Sequence, residues 1–164
     1  MYKPLRWTMI VVLFLLGACQ PAEPTPVPIS KFTDPDPELM KAVRYAQDTM
    51  YIFRAAFLSP KPSYQFMSVK VRFQSGYGTE DMWTEPIEIM TDSFVVRMIE
   101  GVALEMGAHP NSYVEVPAEE VIDWMILQTD GTVQGGYTLR IFYDSLSPEE
   151  QEQYRQNTGY LRFE

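Results

Sequence analysis

Acidic side chains are the groups in this chain whose types and spacing could carry bond-breaking chemistry. Glu80, Asp81, Glu85 and Asp123 are the candidates. Two carboxyls whose surroundings split their proton affinities can divide acid and base roles, as in glycosidases, when held roughly 5–10 Å apart. Glu80 and Glu85 flank Trp83 near a sheet edge, where solvated acids are the simpler reading. Asp123 also has a structural explanation. On an antiparallel register it shares a face with Thr138 and lies diagonal to Arg140, so a cross-strand ion pair accounts for it. Exposed, such a pair contributes only ~0.2–1 kcal/mol. Other chemistries lack their residues. His109 is the sole histidine, and beside Pro110 in a Gly-containing loop it reads as an exposed turn residue. No Gly-rich phosphate loop, His-Glu-x-x-His helix or Gly-x-Ser-x-Gly elbow occurs. A single cysteine excludes an intrachain disulfide and a Cys-based metal cluster. No cofactor is expected.

The element that must position Asp123 is the stretch Val121–Tyr143. Two apolar, β-favouring runs flank Asp130-Gly131, a dipeptide suited to a two-residue type I′ hairpin turn. That turn sets Thr129 opposite Thr132 and Trp124 opposite Tyr137. Alternation then places Ile122, Trp124, Ile126, Tyr137, Leu139 and Ile141 on one face as a core wall. Gly135-Gly136 weakens the second strand, so it marks a bulge or a close backbone approach. A bulge would shift the register beyond Gly136 by one. The functional alternative is that a peptide strand or ligand lies across the glycines. Trp83, Glu80, Asp123, Trp124, Gly135 and Gly136 are therefore the candidate binding residues.

Elsewhere the periods are clear. Asp36 as N-cap, Pro37 at the first helical position and Glu38 in the first turn start a helix. Leu39, Val43, Ala46, Met50, Phe53 and Phe57 form one apolar stripe, predicting a helix over roughly Pro37–Leu58 that packs on a sheet. From Tyr64 the period becomes two: Met67, Val69, Val71 and Phe73 alternate with Ser68, Lys70 and Arg72, a half-buried strand with a basic outer row. Ser75–Gly78 turns into a return strand at Glu80–Thr84. Pro86 argues for an edge or bulge. A second hairpin follows over Ile87–Met90 and Phe94–Ile99, and a short strand at Val114–Val116. Gly101–Tyr113 is irregular. Ser147-Pro148-Glu149-Glu150 is a capping box opening a helix to about Asn157, stopped by Gly159. The expected fold is α+β: an N-terminal amphipathic helix packed on a curved, mostly antiparallel sheet of about six strands, with a short C-terminal helix.

Composition bounds the function. At 164 residues and 46% hydrophobic, the chain allows one domain with a modest core. A formal net charge of −9 disfavours nucleic acid and anionic headgroups as partners. Met1–Arg6 carries Lys3 and Arg6 and no acid, and Trp7–Leu16 is apolar apart from Thr8, as in a secretory signal too short to span a bilayer. Leu16-Gly17-Ala18-Cys19 resembles a bacterial lipobox. By that resemblance Cys19 is diacylated on sulfur and then acylated on its new amine, after residues 1–18 are removed. Loss of two cations would take the formal charge from −9 to −11. Several acyl chains hold a protein on a membrane stably, at ~0.8 kcal/mol per buried methylene. Gln20, rather than Asp, implies the outer membrane facing the periplasm in a Gram-negative cell. Residues 19–33, with Pro21, Pro24, Pro26 and Pro28, read as a tether, and residues 34–164 as the folded domain.

That domain resembles the YegJ-like bacterial family, a domain of unknown function (2314). Asp36-Pro37-Glu38-Leu39-Met40 with Ala42, Ala46 and Thr49–Phe53 is similar to its first helix. Val69-Lys70-Val71 and Glu80-Asp81-Met82-Trp83 are similar to its first hairpin. Ile122-Asp123-Trp124-Met125, Gly135–Arg140 and Ser147-Pro148-Glu149-Glu150 resemble its C-terminal signature. Gly101–Val116 departs from the family pattern. The resemblance implies a fold and no established reaction. The expected function is a non-catalytic, membrane-tethered extracytoplasmic domain binding an envelope protein or component; the alternatives are an envelope hydrolase using paired carboxylates and an immunity or stress-type lipoprotein.

Overall fold

The computed structural model describes residues 36–75, 78–98 and 111–164, all within the unit Phe32–Glu164. The expected signal segment, Cys19, the tether, His109 and most of the irregular stretch lie outside the described residues.

Local chemistry sets the first helix. The Asp36 carboxylate accepts from the Glu38 N–H at 2.9 Å and Pro37 is the first helical residue, so α1 (Pro37–Asp48) begins where the cap residues place it. The apolar stripe buries Val43 and Ala46 and continues through Phe53 of α2 (Met50–Leu58). The expected single helix is thus two, broken at Thr49. There the Thr49 hydroxyl donates to the Tyr45 carbonyl at 2.6 Å, the kind of back-bonding that bends helices. The indole N–H of Trp124 meanwhile donates to the Ala46 carbonyl at 3.1 Å, the acceptor that an unbroken helix would give to Met50.

Next come β1 (Tyr64–Ser75), β2 (Gly78–Ile89), β3 (Ser93–Arg97) and β4 (Tyr113–Pro117), then a 3₁₀ turn at Ala118–Glu120. They are succeeded by β5 (Val121–Gln128), β6 (Thr132–Gly135), α3 (Tyr137–Asp144), α4 (Pro148–Thr158) and β7 (Arg162–Phe163). The fold is α+β: among the described residues, four helices and a seven-stranded sheet in the order β4-β3-β2-β1-β5-β6-β7. Neighbours are antiparallel except β6 and β7, which are parallel. The sheet has one strand more than the six that the periods predict. The additional β7 is two residues long, too short for a period-two signal. The stretches around Glu80–Thr84 and Ile87–Met90 are a single strand, β2, with Pro86 at a register shift against β3. A bulge, not an edge, accommodates that proline.

The central hairpin differs more. Its pairs are Met125↔Gly135, Ile126↔Gln134 and Leu127↔Val133, one residue off the expected register. The loop is three residues, Thr129–Gly131. Gly131 N–H donates to Gln128 O at 2.9 Å and Gly131 has φ +79°, the left-handed closure of a three-residue hairpin rather than a type I′ turn. Beyond Gly135 the chain leaves the sheet. Tyr137–Tyr143, expected as strand, lies in the helix α3, so Tyr137, Leu139 and Ile141 do not form a strand wall with Ile122, Trp124 and Ile126.

β5 is buried on both faces, which explains why VIDWMILQ shows no polar alternation. On one face Val69, Val71, Phe94, Val96, Trp124 and Ile126 pack with Ala46 and Phe53 of the helices. On the other, Met125, Leu127 and Val133 meet Trp83, Leu139, Tyr160 and Phe163. The basic outer row of β1 therefore faces a second packed layer rather than open water: Ser68 is buried, and Lys70 and Arg72 are half-buried.

Candidate functional site

Asp123 lies on β5 beside Lys70 of β1, and Lys70 lies in turn beside Trp83 of β2. This row on the second face is where the predicted residues and a buried charge meet. The Asp123 side chain is fully buried. One carboxylate oxygen accepts from the Trp124 N–H at 2.8 Å and the Tyr137 N–H at 3.2 Å. The other accepts from the Thr138 N–H and the Thr138 hydroxyl, both at 2.7 Å. Tyr137 and Thr138 are the first two residues of α3. A strand carboxylate thus caps a helix fourteen residues further on, satisfying amides that have no partner inside the helix and facing the positive end of its dipole. Gly136, the residue at the usual cap position, has no side chain to do this.

Burial pushes the Asp123 carboxyl above its ordinary range, against the pull of the Thr138, Trp124 and Tyr137 donors. The Lys70 ammonium donates to the Thr138 hydroxyl at 3.3 Å and sits 5.9 Å from the Trp83 ring centre. Burial holds Lys70 below the usual lysine range, opposed by the charges of Asp81 and Asp123 and assisted by Arg72. Thr138 therefore links an ammonium to a carboxylate through one hydroxyl.

The expected ion pair of Asp123 with Arg140 is not formed. Arg140 forks onto the Gly135 carbonyl at 3.1 and 2.9 Å and also reaches the Glu164 carbonyl. Asp81 and Glu85 have partners of their own. Asp81 receives Arg72 in a two-pronged bond at 2.8 and 2.9 Å, and Glu85 receives Arg97. Glu80 sits half-buried on β2 opposite Phe73.

The candidate binding residues divide in two. Trp124, Asp123, Gly135 and Gly136 are interior. Trp124 lies beneath the helices, 5.8 Å from Phe53 ring to ring. Something does lie across Gly135, and it is the chain itself: a Cβ there would stand 2.4 Å from the Trp124 carbonyl oxygen and 2.6 Å from its ring. Of the two readings of the glycine pair, close approach applies at Gly135 (φ +78°), while Gly136 (φ +65°) is needed for its left-handed backbone, its surroundings leaving room for a Cβ. Trp83 is half-buried on the second face, whereas Glu80, opposite Phe73, is half-buried on the first. Lys70 and Thr138 are the members of the cluster that residue types alone do not single out; two glycines just ahead of Thr138 are the available sign that the strand ends there.

No cluster of His, Cys, Asp and Glu among the described residues is arranged to hold a metal ion. A cleft of about 170 Å³ between α1 and α3, lined by Glu38, Lys41, Ala42, Tyr45, Tyr137 and Ile141, contains none of the predicted residues. It is smaller than the ~300–1,000 Å³ of ordinary ligand pockets. The arrangement as a whole positions and caps.

A family profile described as "Uncharacterized protein conserved in bacteria (DUF2314)" matches residues 36–162. No curated protein and no solved structure matches the chain.

Proposed function

The chain belongs to that bacterial family of uncharacterised proteins, and from this premise we propose that it is a membrane-tethered extracytoplasmic binding domain that breaks no bonds itself. The observation that carries the non-catalytic half is Asp123. Four donors converge on its two oxygens in a site without solvent exposure. An acid–base pair would need two free carboxyls on one wall; Asp123 caps a helix and Glu85 holds Arg97. The membrane half rests on the lipobox-like Leu16–Cys19 with the proline-rich tether behind it. No helix among the described residues is long and apolar enough to cross a membrane; the attachment proposed is through acyl chains on Cys19, with the outer membrane as destination in a Gram-negative cell.

Metabolic labelling with an alkyne-bearing fatty acid is the test. The wild-type chain should take the label and sediment with membranes, whereas Cys19→Ser should take none and stay in the soluble fraction. Equal labelling or sedimentation of the two would sink the tether. In-cell crosslinking of the wild type should yield an adduct with an envelope protein. A hydrolytic turnover abolished by Glu85→Gln or Asp123→Asn in a folded chain would replace the binding reading with an enzymatic one.

A further inference from the structure

We infer that the outer edge of β6, with the apolar floor beside it, is a docking site for an extended segment of a partner protein, which Tyr160–Glu164 fills in the resting chain. This inference rests on the binding reading and names its site and partner class. An open strand edge binds extended peptide through backbone hydrogen bonds and takes specificity from alternate side-chain pockets. The features of such a site are present on β6. Leu161 N–H donates to Gly131 O at 2.8 Å, Arg162 N–H to the same oxygen at 3.5 Å, and Glu164 N–H to Val133 O at 2.9 Å. Phe163 and Tyr160 lie on the floor of Met125, Leu127 and Val133. Leu161, 58% exposed, lies over Gly131, where a Cβ would stand 2.5 Å from its Cγ.

Phe163 packs on the Tyr143 ring at 5.3 Å and Arg140 reaches the Glu164 carbonyl, but the backbone pairing of the segment is short. Its strand is two residues long, and it is the one parallel pairing among the described residues; parallel pairs are slightly weaker per residue. The Arg162–Asp130 ion pair, at 2.5 Å, is more than half exposed on both sides, where such pairs contribute little. The joint to α4 is Gly159, at φ +73° with open space where a Cβ would stand. The incoming segment is specified by what it replaces: an aromatic at the Phe163 position and a cation at the Arg162 position, beside Asp130. A chain with 22 acidic and 13 basic residues suits such a cation.

Two measurements decide this. In native-state hydrogen exchange on the intact chain, the Leu161 and Glu164 amides should exchange at least about tenfold faster than those of β5, through local opening. Acetyl-Tyr-Leu-Arg-Phe-Glu, titrated into a chain ending at Gly159, should shift the Gly131 and Val133 resonances, and bind the intact chain at least about tenfold more weakly because its site is filled. Should the shortened chain not fold, Phe163→Ala in the intact chain takes its place. Tail amides as protected as those of Leu127, or a peptide that fails to bind, overturn the inference. A tail-exchanged dimer on size exclusion overturns it in favour of a second copy. An envelope adduct formed equally by intact and shortened chains would overturn the docking site and leave the binding reading standing, whereas no adduct from either would remove that reading.

Discussion

Asp123 shows how one buried carboxyl can look catalytic and be structural. Its four donors include three backbone N–H groups, and each one left unsatisfied in the interior costs ~1–3 kcal/mol. Asp123→Ala should therefore lower stability by roughly 3 kcal/mol or more, read as a fall in urea midpoint; a change near zero would mean the cap is dispensable. The pH dependence has a definite sign. Burial raises the carboxyl above its ordinary 3.8, so the folded chain binds this proton more tightly than the unfolded one. The contribution is complete below the unfolded value and is lost as pH rises through the folded value. The stability of the wild type relative to Asp123→Asn should accordingly decline as pH is raised from the acid side of 3.8 toward neutrality. A flat or rising difference, from paired unfolding curves, would contradict it. Asp123 can be picked out in the sequence as a residue needing a partner. The partner cannot, because it depends on where α3 begins.

Elements with local signals are legible in the sequence and those decided by distant contacts are not. Asp36-Pro37-Glu38 and the capping box at Ser147 and Glu150 carry their instructions within a turn, and α1 and α4 start there. Tyr137–Ile141 alternates apolar and polar residues as a strand would, yet it is helical, because the glycine pair turns the chain and Asp123 caps the new helix. Here tertiary context overrides propensity. The two kinds of left-handed glycine make a controlled comparison. Gly159→Ala meets only the backbone penalty of about 1–2 kcal/mol, with open space around it. Gly135→Ala adds a collision with Trp124, worth a further ~1–3 kcal/mol. Thermal or urea melts of the two variants should rank Gly135→Ala well below Gly159→Ala, and equal losses would contradict the close approach.

At the scale of the molecule, the two apolar layers share a wall. β5 contributes Trp124 and Ile126 to one and Met125 and Leu127 to the other, so neither can melt and leave the strand in place. Trp83 reports on the second layer and Trp124 on the first. In a chain from Cys19 onward, which leaves out Trp7, urea transitions followed through Trp83 in Trp124→Phe, and through Trp124 in Trp83→Phe, should each coincide with the loss of far-ultraviolet circular dichroism in the same variant. Separate midpoints would mean that the layers come apart independently. The α+β class is legible because helical and strand periods are segregated along the chain; the strand count is not, since a two-residue strand has no period.

The kink at Thr49 carries a last consequence. Trp124 finds its acceptors there because the turn is irregular, with the Thr49 hydroxyl 3.2 Å away beside the Ala46 carbonyl. A homologue with phenylalanine in place of that indole would have nothing to quench at the bend, and a straight rod would serve it as well. The two positions, seventy-five residues apart, should accordingly drift together through evolutionary time, as lock and key are recut in pairs.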